Sequence, residues 1–191
     1  MIKCLIEHGA DLNKKFNNSE TPLSFACRNK DEEELVKYLV EHGADVNKES
    51  ININNDITYI CTPLFSACFG KSENIVKYLV EHGADVNKES DYGIFKGFTP
   101  LLILCYFKSV NLIKFLIEHK ADVDYRNKYD SVPLFDAYLK GDNDIVKILI
   151  EHGANVNEKD KNGRTLLRYA IEEGNESMIQ FLSEHGAIKE L

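Results

Sequence analysis

Short segments of this chain are apolar on one side only. Within residues 73–81, the apolar side chains of Ile75, Val76, Leu79 and Val80 fall at i, i+1, i+4 and i+5, which is one face of an α-helix. Isolated helices shorter than roughly 12 residues are marginally stable in water. The pattern therefore predicts a short helix whose apolar face is covered by a neighbouring element.

A second short helix is predicted just before that one. Thr62 can cap a free backbone N–H group, and Pro63 at the first helical position has no N–H group to lose. Leu64, Ala67 and Cys68 then line one face at i, i+3 and i+4. The two segments predict a helix-turn-helix pair that cannot cover its own apolar surface.

The expected ends of the second helices are also marked in the sequence. Ser72 and Asp142 stand just before two of these helices, where their side chains can cap free N–H groups. Gly83 and Gly153 stand where a residue in the left-handed conformation ends a helix. The histidine before each of these glycines is expected near the negative end of the helix dipole.

Both segments recur along the chain. Glu-His-Gly-Ala-Asp, with small variations, starts at Glu7, Glu41, Glu81, Glu118, Glu151 and Glu184. Thr-Pro-Leu or a close variant starts at Thr21, Thr62, Thr99, Val132 and Thr165. Self-similarity at a nearly fixed period is typical of a solenoid, in which stacked copies bury one another's apolar faces.

In these motifs, Thr-Pro-Leu-x-x-Ala and Gly-Ala-Asp-Val-Asn, the chain resembles the ankyrin-repeat family along essentially its whole length. The resemblance implies an all-α solenoid of stacked helix-turn-helix pairs with β-turn fingers, forming a single domain over residues 1–191. It divides into a leading half repeat and five full repeats: 1–12, then 13–46, 47–86, 87–123, 124–156 and 157–191.

The chain departs from the family pattern at several positions. Lys120 replaces the glycine that ends the second helix, which should cost stability if φ is positive there. Leu104 replaces a small alanine, and Leu166 replaces the proline of the first helix. The histidine that the family usually has after Thr-Pro-Leu is replaced in all five repeats, by Ser24, Phe65, Leu102, Phe135 and Arg168.

Charge and composition narrow the classes of partner. The net charge is −8, so clustered basic surface for nucleic acid is not expected, and neither is attraction to an anionic membrane. No apolar run approaches the roughly 20 residues that span a bilayer. Five cysteines, an odd number, favour free thiols in a reducing, cytoplasmic location.

Candidate chemistry is sparse, and neither a cofactor nor a metal is predicted. Stacked helices lie roughly 8–10 Å apart, so histidines of neighbouring repeats cannot share a zinc ion with ligands at about 2.1 Å. Cys27, Cys68 and Cys105 occupy the small buried position of the first helix. Cys61 is expected in a loop, where exposure would make it a candidate for oxidation.

The resemblance implies a concave binding groove formed by the fingers and the first helices. Its candidate positions are the residues before each Thr and those seven and eight after it. Arg28 and Arg164 fall among polar residues at the two ends. Aromatic residues fall at the predicted centre of the groove, which is the composition of an interface hot spot: Tyr59, Phe69, Phe95, Phe98, Tyr106, Phe107 and Tyr129.

Two long fingers flank this predicted centre. Residues 47–61 and 87–98 carry insertions, which often bear function, and residues 50–60 can extend as a β-hairpin. The alternative is that Phe69, Tyr106 and Phe107 pack inward or beneath these loops.

The function expected from the resemblance is a protein-binding scaffold without catalysis. The alternative is a targeting or regulatory segment of a larger protein whose activity lies outside this chain, as the opening half repeat suggests. An independent hydrolase or metalloprotein has no supporting constellation of residues. A monomer is expected, although the apolar stripe of residues 1–12 offers a route to self-association.

Overall fold

The computed structural model describes residues 8–16, 20–54, 57–91 and 93–189, with the description of 52–59 limited to the backbone. Within these ranges the chain forms ten α-helices. They are α1 (Pro22–Cys27), α2 (Glu33–Glu41), α3 (Pro63–Phe69), α4 (Glu73–Glu81), α5 (Pro100–Tyr106), α6 (Val110–Glu118), α7 (Pro133–Leu139), α8 (Asn143–Glu151), α9 (Leu166–Glu172) and α10 (Glu176–Glu184). Two 3₁₀ turns, Lys30–Glu32 and Gly93–Phe95, complete the helical elements.

The helices alternate between a short first helix and a nine-residue second helix, which confirms the predicted all-α class and helix-turn-helix pairs. They are distributed over two compact units, Met1–Ile103 (unit 1) and Leu104–Leu191 (unit 2). The single domain expected over the whole chain stays a prediction. Residues 1–7 of the expected half repeat, and with them most of its apolar stripe, lie outside the described residues.

The first helices begin as the Thr-Pro motif predicts. The Thr62 hydroxyl oxygen accepts a hydrogen bond from the Phe65 amide at 3.3 Å, and Thr165 caps α9 in the same way although proline is absent there. Val132 has no side-chain oxygen to cap α7. Near the start of that helix, the Ser131 hydroxyl donates instead to the Asp136 carboxylate at 2.5 Å.

The second helices end as the Gly motif predicts. Gly83 and Gly153 have φ values of 86° and 95°. Lys120 occupies the same position with φ of 72°, so the residue is held in a conformation that favours glycine. The imidazole Nδ1 lies 2.7–2.8 Å from the carbonyl oxygen four residues earlier in five copies of the motif, at His42, His82, His119, His152 and His185.

The caps of the second helices match the sequence only in part. The Asp142 carboxylate accepts from the Ile145 amide at 3.2 Å, as predicted. Ser72 occupies the N-cap position of α4, but its side chain makes no capping hydrogen bond. Its hydroxyl is buried without a hydrogen-bond partner, so the prediction that Ser72 caps this helix is wrong.

The 47–61 finger forms the hairpin that its sequence allows. Strands β1 (Ser50–Asn54) and β2 (Ile57–Cys61) pair antiparallel, with Ser50 opposite Cys61 and Asn54 opposite Ile57. Strand β2 leads directly into α3, so Cys61 lies in the core with its sulfur 3.3 Å from the Ser66 hydroxyl oxygen. Burial raises the pKa of the Cys61 thiol to about 12. The expectation of an exposed, oxidisable Cys61 is therefore wrong.

Unit 1 is held together by stacking of equivalent helices. Helix α1 packs on α3, and α2 packs on α4. The stripe predicted in α4 points inward, with Ile75, Val76 and Leu79 fully buried and Val80 partly so. Cys27 and Cys68 are buried in the first helices, as predicted.

Unit 2 contains two helix pairs, in each of which the first helix packs on the second. Helix α7 packs on α8, and α9 packs on α10. Successive repeats are joined across α7 and α9 by Phe135 and Tyr169, whose ring centroids lie 6.2 Å apart. The Tyr138 hydroxyl donates to Glu173 at 2.6 Å. Cys105 and Leu104 are fully buried at the start of this unit.

Candidate protein-binding surface

The candidate surface of unit 1 contains a packed group of phenylalanines. The Phe95 ring lies 5.6 Å from both the Phe69 and the Phe98 ring centroids, in edge-to-face geometry, and 6.5 Å from that of Phe65. Such arrangements are favourable for aromatic pairs. Phe95 is only 6% exposed, while Phe69 and Phe98 are partly exposed.

The 87–98 finger is fixed in this position by its backbone. The Ser90 amide donates to the Phe98 carbonyl at 2.9 Å, and the Gly97 amide donates to the Ser90 carbonyl at 2.6 Å. The finger is also tied to strand β2, because the Asp91 amide donates to the Ile60 carbonyl at 2.9 Å. Phe95 is thereby placed beneath its own finger.

Several predicted site residues are less exposed in this geometry than the sequence predicts, or lie outside the described side chains. The expectation that Phe95 is exposed for a partner is wrong, because Phe95 is part of the packed interior. Phe69 packs beneath the enlarged finger, as the alternative interpretation held, but retains some exposed surface. Tyr59 pairs with Asn52 across the hairpin, and its side chain lies outside the described residues.

Arg28 is engaged within unit 1. Its guanidinium forms an ion pair with Glu20 at 3.1 Å and lies 5.3 Å from the ring centroid of Phe25. Burial raises the pKa of Glu20, and the nearby positive charge of Arg28 opposes that rise. Phe25 itself is 53% exposed. Arg28, which is predicted at one end of the groove, therefore lies against an exposed aromatic ring that sequence reasoning did not single out.

The 124–132 finger of unit 2 is organised around Asn127. The Asn127 amide oxygen accepts hydrogen bonds from the backbone N–H groups of Tyr129 and Ser131, both at 2.9 Å. Arg126 pairs with Asp130 at 3.2 Å and donates to the Lys159 carbonyl of the next finger. These bonds fix the turn that carries Tyr129.

Tyr129 and Leu139 are the most exposed large apolar side chains of the region, at 60% and 65%. They border a cavity of about 250 Å³ between the two fingers of unit 2. The cavity is lined by residues 129–131 and 160–162 from the fingers and by Phe135, Asp136, Leu139 and Tyr169 from the first helices. The fingers and first helices therefore form a concave surface here, as the resemblance implies.

Two carboxylates in this cavity have different environments. Burial raises the pKa of Asp136, and the hydrogen bond from Ser131 only partly opposes that rise. Burial acts in the same direction on Asp160, but donation from the Arg164 amide and the Tyr169 hydroxyl outweighs it, so the pKa of Asp160 is lowered. The Asp160 carboxylate thus accepts hydrogen bonds from several neutral donors, whereas the Asp136 carboxylate accepts from fewer.

Tyr106 and Phe107 lie together at the end of α5. Their ring centroids are 5.3 Å apart in edge-to-face geometry, and Tyr106 is 41% exposed. The Lys140 ammonium lies 4.1 Å from the centre of the Tyr106 ring, within the range of a cation–π interaction. The Lys108 ammonium donates to the Lys140 carbonyl at 2.8 Å. Tyr106 thus presents an accessible ring beside a fixed positive charge.

Arg164 is exposed and paired within the last repeat. Its guanidinium lies 3.2 Å from the Glu172 carboxylate and 5.4 Å from the ring centroid of Tyr169. An ion pair this exposed contributes little to stability, so Arg164 can exchange this partner for another.

Leu139 and Phe25 are among the exposed apolar residues that sequence reasoning missed. Leu139 stands seven residues after Val132, which is one of the positions predicted to face the groove, but it is aliphatic, whereas the predicted centre was marked by aromatic residues. Phe25 stands four residues after Thr21, outside the positions predicted to face the groove. Applying the positional rule to all apolar residues would have found Leu139.

Two negative findings apply to the described ranges. Among the residues they contain, no group of three or more His, Cys, Asp or Glu side chains is arranged to hold a metal ion. None of the helices described there has the length and apolar character needed to cross a membrane.

The comparisons with known proteins agree with this architecture. A family model described as ankyrin repeats in three copies matches residues 1–50 and 48–127, and one described as ankyrin repeats in many copies matches residues 134–182. The chain therefore belongs to the ankyrin-repeat family. Proteins of this family generally mediate protein–protein interactions and are generally non-catalytic. No curated protein matched the chain in a sequence search.

Proposed function

We propose that this chain is a protein-binding scaffold without catalytic activity, and that unit 2 contacts the partner through Tyr129 and Leu139. The observation that carries the proposal is the exposure of these two apolar side chains on either side of a concave cavity. Exposed apolar surface next to a cavity is typical of binding sites on soluble proteins.

The chemistry of Tyr129 supports this assignment. Tyrosine offers a large contact area at a low cost in side-chain entropy and is enriched among interface hot spots. The turn that carries Tyr129 is fixed by Asn127, so little ordering of the backbone is required when a partner binds.

A reducing, cytoplasmic location is part of the same proposal. Cys27, Cys61, Cys68 and Cys105 are free and buried. Burial raises the pKa of each of these thiols, so little thiolate is present for reaction. They are suited to packing in the core.

Quantitative affinity capture tests the proposed surface. The immobilised chain is compared with a double variant, Tyr129→Ser with Leu139→Ser, in the same native lysate. We expect the specifically retained protein to fall at least about tenfold, since losing a hot-spot residue costs about 2 kcal/mol or more. Circular dichroism should be unchanged, because both side chains are exposed.

The control removes two other exposed aliphatic side chains. Ile94→Ser with Ile188→Ser alters positions that are 69% and 64% exposed outside the cavity. This control should retain the partner at the level of the unmodified chain. Retention that persists in the Tyr129 and Leu139 variant, or is lost in the control, would place the binding surface elsewhere.

A further inference from the structure

The cavity of unit 2 combines apolar walls with a carboxylate, Asp136, that has a single hydrogen-bond donor and no ion pair within the described residues. Tyr129 and Leu139 form its exposed edges, and Phe135 and Tyr169 contribute aromatic surface. At about 250 Å³ the cavity has room for a single large side chain. Any occupant therefore needs apolar surface along most of its length.

Asp136 supplies the charge in this cavity. Its only hydrogen-bond donor within the described chain is the Ser131 hydroxyl, at 2.5 Å, and no Lys, Arg or His nitrogen described there lies within 4.0 Å. Lys140, one turn further along the chain, is directed elsewhere, because its ammonium lies over the Tyr106 ring. A half-buried carboxylate with no cation within 4.0 Å, whose burial is only partly offset by the more distant positive charge of Lys140, favours a cationic ligand.

The other charged groups that line the cavity do not change this conclusion. Asp130 is paired with Arg126, and Asp160 accepts from the Tyr169 hydroxyl and from backbone amides. Lys161 is the single lysine among the lining residues described, against three aspartates. The lining residues themselves therefore carry a net negative charge, which complements a positively charged group, and the Lys128 ammonium lies 5.4 Å from the ring centroid of Tyr129 at the edge of the cavity.

We propose that this cavity binds a basic side chain, lysine or arginine, presented by the partner protein; the inference rests on the proposed protein-binding function. The aliphatic stem lies against Tyr129 and Leu139, since long basic side chains bury their stems on apolar surface while the charge stays polar. The ammonium or guanidinium head lies at Asp136, where it forms a charge-assisted hydrogen bond.

Small probes test this inference without the partner. Nα-acetyl-arginine methylamide and Nα-acetyl-lysine methylamide are titrated into the ¹⁵N-labelled chain, and the uncharged norleucine analogue serves as the comparison ligand. We expect millimolar binding, as is typical of fragments of this size, and shifts of the Tyr129, Asp136 and Leu139 amide resonances. The norleucine analogue should bind about tenfold more weakly, because it lacks the charged hydrogen bond.

Two matched variants test whether Asp136 is the carboxylate that binds the basic probes. Asp136→Asn should weaken binding of the basic probes about tenfold with an unchanged spectrum elsewhere. Asp144→Asn removes an exposed carboxylate at the start of α8, outside the cavity, and should leave binding unchanged. Equal binding of norleucine, no shifts at these three residues, or full binding to the Asp136 variant would overturn the inference.

The two proposals fail separately. If the probes do not bind but capture still depends on Tyr129 and Leu139, the protein-binding surface stands and the basic side chain is wrong. If the probes bind but capture does not depend on these residues, the cavity accepts a cation and the proposed partner surface is wrong.

Discussion

The 87–98 finger of unit 1 and the 124–132 finger of unit 2 both carry aromatic residues beside a first helix, with opposite results. In unit 1, Phe95 is 6% exposed and its neighbours pack onto it. In unit 2, Tyr129 stands exposed at the edge of a cavity. The same residue class in equivalent segments thus builds an interior in one unit and a surface in the other.

The difference follows from the length of each finger. Phe69 and Leu139 occupy equivalent positions, seven residues after the start of their motifs. The longer 87–98 finger of the following repeat brings the Phe95 ring to within 5.6 Å of the Phe69 ring, whereas the shorter finger of the repeat that follows Leu139, within residues 157–164, leaves Leu139 facing a cavity. Finger length, rather than aromatic content, decides whether this position is covered.

The largest expected effect tests this contrast in packing. Phe95→Ala should lower the free energy of unfolding by about 3–5 kcal/mol, because it removes a buried ring and leaves a cavity. Tyr129→Ala should change it by no more than about 0.5 kcal/mol, because that ring is exposed. Urea unfolding followed by circular dichroism measures both values, and similar losses would contradict the contrast.

A smaller effect is expected where the first helices end. Gly70 and Lys140 are equivalent C-cap residues, and a Cβ atom on Gly70 would lie 2.8 Å from the Arg28 carbonyl oxygen. Gly70→Ala should therefore cost about 1–3 kcal/mol, since one of the two backbones must shift. Lys140→Ala should cost about 0.5–1 kcal/mol, the size of an exposed cation–π contact.

Thermal or urea unfolding of both variants measures these costs. A Gly70→Ala variant as stable as the unmodified chain would show that α1 and α3 are not held as closely as the structure has them. The Lys140 variant serves as the matched control, because its substitution adds no atom near a neighbouring backbone.

Much of the fold could be predicted because its determinants are local. The Thr62 hydroxyl caps its own helix, and Gly83 needs only its own φ to end one. Lys120 was expected to be strained for the same local reason, and its φ of 72° agrees with that expectation. Ser72 failed as a cap because the rotamer of a small hydroxyl depends on its surroundings.

The candidate site was less predictable because exposure depends on contacts that are distant in the sequence. Cys61 is buried by the helices that follow the hairpin, and Phe95 by the path of its own finger. The position of the two fingers around Asp136 depends on how two successive repeats are aligned with each other. Spacing predicted which positions face the groove, but it could not tell which of them remain uncovered.

The smallest expected effect concerns two carboxylates of the cavity, Asp136 and Asp160. Asp136 is desolvated with one side-chain donor, so its pKa is raised, whereas hydrogen bonds to Asp160 hold its pKa below the usual value. Carbon-detected NMR titration should show Asp136 titrating at the higher pH. Tyr169→Phe removes a hydroxyl donor to Asp160 and should raise only the pKa of that residue.

The raised pKa has a consequence for stability whose sign is fixed. Because the folded-state pKa of Asp136 exceeds the unfolded value, its contribution to stability is present below the unfolded pKa and is lost as the pH rises through the folded one. Asp136→Asn should therefore stabilise the chain at pH 7, and the gain should shrink as the pH falls through the raised pKa. A gain that grows on acidification would mean that Asp136 is stabilised as the anion, and the cavity would then already contain its positive partner.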